Sequence, residues 1–206
     1  YDIEEQKIEV IYLANSLVAN QYISSPPELT ERYLLYVGDR HLYKNFNTFI
    51  LSVSQLLNED RDLNIVCAGG KKFGSDEERL FKELGIWERV HHFPISNDVM
   101  LAYLYKSAIA FVYPSRYEGF GIPILEAFSC GCPVTLSNTS SLPEVAGDAA
   151  AYFDPYDTVS MGEQVREVTH NEELREELKE KGFERLKSFS WGKTSEQTKE
   201  VYRSCV

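Results

Sequence analysis

Residues Ser115 to Pro133 read SRYEGFGIPILEAFSCGCP, and they follow a short apolar run, Ala108 to Tyr113, that ends at Pro114. A buried strand leaving through a loop into a helix has this pattern, and ligands of open α/β sheets bind at that junction. Gly119 and Gly121 free the backbone for close approach to a ligand. Pro123 suits the first turn of a helix, where its missing N–H costs nothing, and Ile124, Leu125, Ala127 and Phe128 continue it to a stop at Gly131 and Pro133. Uncapped amides at such a start, with the macrodipole behind them, favour a phosphate or another anion. Glu118 and Glu126 bracket the turn. A carboxylate repels phosphate, so the role that fits both is to accept hydrogen bonds from sugar hydroxyls. A plainer reading stands beside this one: Glu126 is favourable near a helix start on dipole grounds alone, and Glu118 can be a solvated loop residue.

Upstream, Tyr33 to Val37 is a continuous apolar run of the kind buried on both faces of a sheet, and it ends at Gly38. Arg40 and Lys44 follow, then Phe46, Phe49, Ile50, Val53, Leu56 and Leu57 at helical spacing. Strand, glycine, cations, helix is the order a pyrophosphate site needs, with Arg40 offering a fork and Lys44 a point charge; the alternative is two solvated surface charges. Leu63 to Ala68 is a second buried strand, closed by Gly69 and Gly70. Asp60, Arg61 and Asp62 before it read as a solvated turn, and Ser75 after it as the cap of a helix to Leu84. His91 and His92 lie in a third strand, Val90 to Phe93, where neighbours face opposite ways and share a ligand site poorly. Pro94 to Asn97 is its outgoing loop, and Asn97 or Asp98 starts the next helix.

Downstream of Pro133, strands at Pro133 to Leu136 and Ala149 to Phe153 flank a polar loop, Ser137 to Ser141, and a helical turn at Pro143 to Val145. Helices are expected over 158–169, Glu172 to Lys187 and Ser190 to Tyr202, the second with Glu/Lys pairs of a solvated face. Six strands alternating with helices define an α/β fold: a doubly wound, Rossmann-like parallel six-stranded sheet flanked by helices. Residues 1–24 hold one strand-like run, Ile8 to Leu13, and the Ser24, Ser25, Pro26, Pro27, Glu28 stretch reads as an extended linker. The chain therefore divides into residues 1–30, the end of a preceding domain with its linker, and residues 31–206.

With 206 residues the chain can bury a sizeable core, and its net charge of -11 argues against a nucleic-acid partner, which needs a basic footprint. No apolar run approaches the ~18 residues of a membrane-spanning helix and the first residues carry no signal pattern, so the reading is cytoplasmic. Cys67, Cys130, Cys132 and Cys205 lack zinc-ligand spacing and read as small thiols in a reducing compartment, with neither metal nor disulfide implied.

Three ordered blocks carry a resemblance: V-G-x-R-x-x-x-K-N from Val37, F-V-Y-P-S-x-x-E-G-F-G-I-P-I-L-E-A-F-S-C-G-C-P-V from Phe111, and S-N-x-S-S-L-P-E-V-A-G-D-A-A-x-x-F-D-P from Ser137. Over about residues 30 to 206 the chain resembles the C-terminal, donor-binding domain of a family four retaining glycosyltransferase (glycosyl transferases group 1), one half of a GT-B architecture. The resemblance implies transfer of a hexose from a nucleotide-diphosphate sugar, UDP-glucose first and GDP-mannose second, to a glycan or lipid-linked acceptor in polysaccharide synthesis.

It implies that Glu118 lies against the donor sugar and Glu126 binds the ribose hydroxyls. The amides of Gly119, Phe120 and Gly121 hold sugar hydroxyls, and that of Ile122 meets the distal phosphate. Lys44, with Arg40, neutralises the leaving pyrophosphate after Gly38, and the base packs near Pro94 and Ile95. Many relatives place their arginine directly after the glycine, where this chain has Asp39. Neither a cofactor nor a metal is expected. Such enzymes also need an N-terminal acceptor domain, of which only the last ~25 residues are expected here; the last helix, Trp191 to Tyr202, would then keep an apolar patch exposed. Peripheral membrane association of the full enzyme stays open. The alternatives are a non-catalytic nucleotide-sugar binding subunit, a nucleotide-sugar epimerase on the same fold, and a plain dinucleotide-binding domain. The last would carry G-x-G-x-x-G after the first strand, where only Gly38 is found.

Overall fold

The computed structural model describes residue 4, residues 7–17 and residues 32–205; the linker from Ser24 to Glu28 and the division between residues 30 and 31 lie outside them. Among the described residues, six strands form one all-parallel sheet: β1 (Tyr33–Val37), β2 (Asn64–Ala68), β3 (Val90–Phe93), β4 (Ala110–Tyr113), β5 (Val134–Ser137) and β6 (Ala151–Phe153). Their order is β3-β2-β1-β4-β5-β6. The central strands β1 and β4 are brief, unbroken apolar runs because both faces are covered, while edge strand β3 carries His91 and His92 half-buried. Along β1 the side chains alternate: Leu34 and Tyr36 enter one core, Tyr33 and Leu35 the other.

The first core is closed by α1 (Phe46–Glu59), α2 (Ser75–Glu83) and α6 (Thr158–His170), through Phe46, Phe49, Ile50, Val53, Phe81, Met161 and Val165. The second is closed by α3 (Asp98–Ser107), α4 (Ile122–Ser129) and α5 (Leu142–Ala146), through Leu104, Tyr105, Ile124, Leu125, Phe128 and Leu142. The strand order reverses where β1 meets β4, and the chain leaves these neighbours toward opposite faces. The crevice between their carboxyl ends is therefore lined by the loops after Val37 and Tyr113.

Glycines set two of the helix contacts. A Cβ on Gly162 of α6 would lie 2.6 Å from the Ser52 carbonyl oxygen of α1, and one on Gly182 of α7 (Glu172–Leu186) would lie 2.7 Å from the Phe128 ring of α4. Lys179, Lys181 and Lys187 pair with Glu176, Glu177 and Glu184 along α7, the solvated face the spacing predicts.

Four expectations change. Ile8 to Leu13 forms no strand; it runs as an irregular strap over α8 (Trp191–Ser204) and Phe120. Thr194 donates to the Tyr12 carbonyl (2.7 Å), Trp191 Nε1 to Ser16 Oγ (2.8 Å), and the Tyr12 ring lies 6.0 Å from that of Phe120. Gly74, not Ser75, caps α2: with no side chain to offer, its amide is itself held by Glu77 at 2.8 Å. Asp60 is not a free turn residue, since Arg32 pairs with it at 3.1 Å. The strands expected to begin at Ala108 and Ala149 begin at Ala110 and Ala151. Trp191 and Tyr202 of α8 are exposed. Among the described residues no helix is long and apolar enough to cross a membrane.

Candidate functional site

After β1 the chain turns at Gly38, whose φ of +111° a side chain would resist, into a single 3-10 turn, Leu42–Lys44. Asn45 closes that turn in the left-handed region, and its buried side-chain amide donates to the Pro155 carbonyl at 2.8 Å. From the other side the Arg116 amide donates to the Tyr43 carbonyl at 2.7 Å. Lys44 is thus aimed by its neighbours, and its Nζ lies 2.7 Å from Glu118 Oε1, with 20% and 13% of the two side chains exposed. The ammonium also lies 5.6 Å from the centre of the Tyr113 ring at the end of β4. Burial, and then the Glu118 charge beside it, push the Tyr113 hydroxyl well above the usual phenol range.

Two serines hold the Glu118 loop. Ser140 Oγ accepts from the Glu118 amide at 3.0 Å, and Ser141 Oγ lies 2.9 Å from the Glu118 carbonyl and 3.1 Å from that of Phe120, able to donate to either. Beyond them the backbone opens: Gly119 is exposed and a Cβ there would meet nothing within 4 Å. Gly121 is its opposite, with φ +107° and a hypothetical Cβ 2.9 Å from the tip of Ile124. It introduces α4 with no side chain capping the first amides, so Ile122 begins the helix with its N–H available to an anion, while Pro123 has none.

One turn into α4, Glu126 Oε2 accepts from the Tyr105 hydroxyl at 3.1 Å. Burial raises its carboxyl above the usual range against the lowering effect of that hydrogen bond, with Asp98 adding to the rise. On the far side of the crevice Ile95 packs on the glycine after β2, since a Cβ on Gly69 would come within 3.2 Å of Ile95 Cδ1 and 3.9 Å of the Gly38 nitrogen. Pro94 beside it is exposed.

Arg40 keeps other company than Lys44. Its Nε donates to Glu77 Oε1 at 2.7 Å and its Nη2 to the Lys71 carbonyl at 2.5 Å, with the side chain only 5% exposed. The structure therefore joins Lys44 to Glu118 and ties Arg40 to α2. His91 and His92 turn to Asn64 and to the Gly69 carbonyl. Asn45, Ser140, Ser141, Tyr105 and Glu77 escaped the sequence reading; the S-N-x-S-S block was visible, but its partner 22 residues upstream was not. Among the described residues no three His, Cys, Asp or Glu side chains gather as a metal set would.

Sheet order, two-sided helical cover and the loops gathered at the switch point define the Rossmann-like half of a GT-B architecture. The sequence profile of the glycosyl transferases group 1 family matches residues 20–185, and the chain belongs to that family. It is 37% identical over 174 residues to O-antigen chain mannosyltransferase B of Escherichia coli, covering 83% of this chain and 45% of that protein. It is 31% identical over 168 residues to O-antigen chain mannosyltransferase RfbU of Salmonella typhimurium, covering 82% and 46%. The chain thus spans about half the length of these relatives. Among solved structures, WaaG, a glycosyltransferase involved in lipopolysaccharide biosynthesis, superposes with a TM-score of 0.80 at 19% identity over 98% of this chain and 58% of that one. The Anabaena protein Alr3699/HepE, crystallised with UDP and glucose, superposes with a TM-score of 0.74 at 16% identity over 85% and 49%.

Proposed function

We propose that this chain is the donor half of a retaining hexosyltransferase of polysaccharide synthesis, binding a nucleotide-diphosphate sugar in the switch-point crevice. The observation that carries the reading is the Lys44–Glu118 pair at 2.7 Å, placed beside the open Gly119 backbone and the uncapped start of α4. Breaking the bond from the anomeric carbon to phosphate builds negative charge on the diphosphate and positive charge on the sugar. Lys44 and the Ile122 amide stabilise the first, without a metal ion. Glu118 exchanges its hold on Lys44 for a sugar hydroxyl and helps balance the second. Gly119, Phe120 and Gly121 offer amides to the remaining hydroxyls. Glu126 accepts from the ribose, and Gly38, Pro94 and Ile95 receive the base.

Relatives that bear the name mannosyltransferase move GDP-mannose ahead of UDP-glucose as the donor. Acceptor recognition belongs to residues outside this chain, whose matched length is under half of those relatives. Donor hydrolysis and transfer, followed by mass spectrometry with GDP-mannose and UDP-glucose, test the reading on this chain and on a longer polypeptide that includes a preceding domain. The expected result is donor binding by both and transfer by the longer one alone. Equal transfer by the two would remove the division of labour, and no reaction of either donor with the longer polypeptide would remove the activity.

A further inference from the structure

The cation expected to share the diphosphate with Lys44 is already committed elsewhere. Arg40 Nε and Nη2 are bonded to Glu77 and the Lys71 carbonyl, and the guanidinium lies 4.9 Å from the centre of the Phe73 ring and 5.7 Å from that of Phe46. Its third nitrogen, Nη1, is buried without a partner against Gly70, where an added Cβ would lie 3.2 Å away. Nη2 and Nη1 thus face the segment between β2 and α2, and Nε faces the first turn of α2.

Apart from the Phe46 ring on α1, these contacts fasten that segment. Lys71 is held directly; Gly74 is held through Glu77, which accepts from its amide at 2.8 Å; Phe73 is held by its face. Burial opposes the charge on Glu77, but the bonds from Arg40 and the Gly74 amide outweigh it and keep the carboxyl below its usual range. The other edge of the same segment packs beside Gly38, the residue that follows β1 at the crevice. Gly69 packs on Ile95, and His92 holds the Gly69 carbonyl at 3.2 Å while its ring meets Phe73 at 5.8 Å.

We propose, on the donor-site reading given above, that Arg40 and Glu77 are positioning residues for the nucleoside end of the ligand. They brace residues 69–74 as the wall that meets Ile95, and Arg40 does not touch the diphosphate. Lysine cannot replace Arg40 here, because a point charge cannot span a carboxylate and a carbonyl while stacking on a ring.

Calorimetric titrations with GMP, GDP, UMP and UDP test this on the wild-type chain, Arg40→Lys and Glu77→Gln, with thermal melting of each. Both substitutions are expected to weaken the favoured nucleoside's mono- and diphosphate by the same factor, about ten-fold, and so to leave the ratio between the two phosphates unchanged. A loss confined to the diphosphate, with Glu77→Gln harmless, would make Arg40 a phosphate contact and overturn the proposal alone. Lowered melting with unchanged affinity would reduce the pair to a structural tie and overturn it equally. Absence of nucleotide binding by the wild-type chain would overturn the donor-site reading, and this proposal with it.

Discussion

Lys44 Nζ and Glu118 Oε1, 74 residues apart in sequence, meet at 2.7 Å across the point where the strand order reverses. The contact joins the turn after β1 to the loop after β4, the two segments that frame the crevice. On the proposed function its two charges are opposite in sign to the two that would develop on the reacting bond. Lys44→Met is expected to lower kcat of the transferring polypeptide by about 10²- to 10³-fold, the range seen when one preorganised charge partner is removed, with Lys44→Arg recovering part of it. Initial rates at saturating donor measure this; a kcat within two-fold of wild type would disconnect Lys44 from the leaving group.

Gly119 and Gly121 separate binding from folding. A methyl at Gly119 enters open space, whereas one at Gly121 meets Ile124 at 2.9 Å on a backbone with φ +107°. Gly119→Ala is expected to leave the melting temperature unchanged and to weaken sugar-nucleotide binding. Gly121→Ala should cost about 1 to 3 kcal/mol of stability. Melting curves paired with ligand titrations read both, and equal behaviour of the two variants would contradict the assigned open face.

The serine clamp predicts a graded effect. Ser140 and Ser141 hold the Glu118 backbone through hydroxyl bonds of about 3 Å, each worth about 1 kcal/mol. The double change Ser140→Ala with Ser141→Ala should reduce kcat about ten-fold and raise KM little, because the loop loses its aim rather than its ligand contacts. Steady-state kinetics decide the matter, and a pure KM effect would contradict it.

Glu126 is held above its unfolded value by burial, so the protonated fold is favoured and ionisation costs stability as pH rises from the unfolded carboxylate range through the folded value. Glu126→Gln, which can still accept from Tyr105, is expected to melt higher than wild type at neutral pH, the gap closing as pH falls through that window. Nucleotide affinity should move the other way: the variant binds about ten-fold more weakly at neutral pH, and wild-type binding weakens on acidification through the same range. Melting and titration across pH 4 to 8 test both signs.

The architecture was legible because strands such as Tyr33 to Val37 before Gly38 and Ala110 to Tyr113 before Pro114 are short buried apolar runs followed by a turn, and such runs report burial locally. Glu118, Glu126 and Lys44 were legible as a motif, and the first and last of these meet in space. What the chain did not disclose is pairing at a distance. Arg40 and Lys44, four residues apart, looked alike as cations, yet one is claimed by Glu77 of α2 and the other by Glu118. Ile8 to Leu13 has the composition of a strand, but it lies as a strap on α8 and Phe120 instead of joining a sheet edge. Local periodicity cannot tell an edge partner from a covering one.

The central claim is that a phosphate-bearing nucleotide is held by Lys44 and the start of α4. Titrating the wild-type chain and Lys44→Met with the mono- and diphosphates of guanosine and uridine, with and without EDTA, tests it most directly. The account predicts tighter binding of one diphosphate than of its monophosphate, indifference to EDTA, and loss of that difference in Lys44→Met. Binding that depends on a divalent metal, or a diphosphate preference that survives the loss of Lys44, would contradict it.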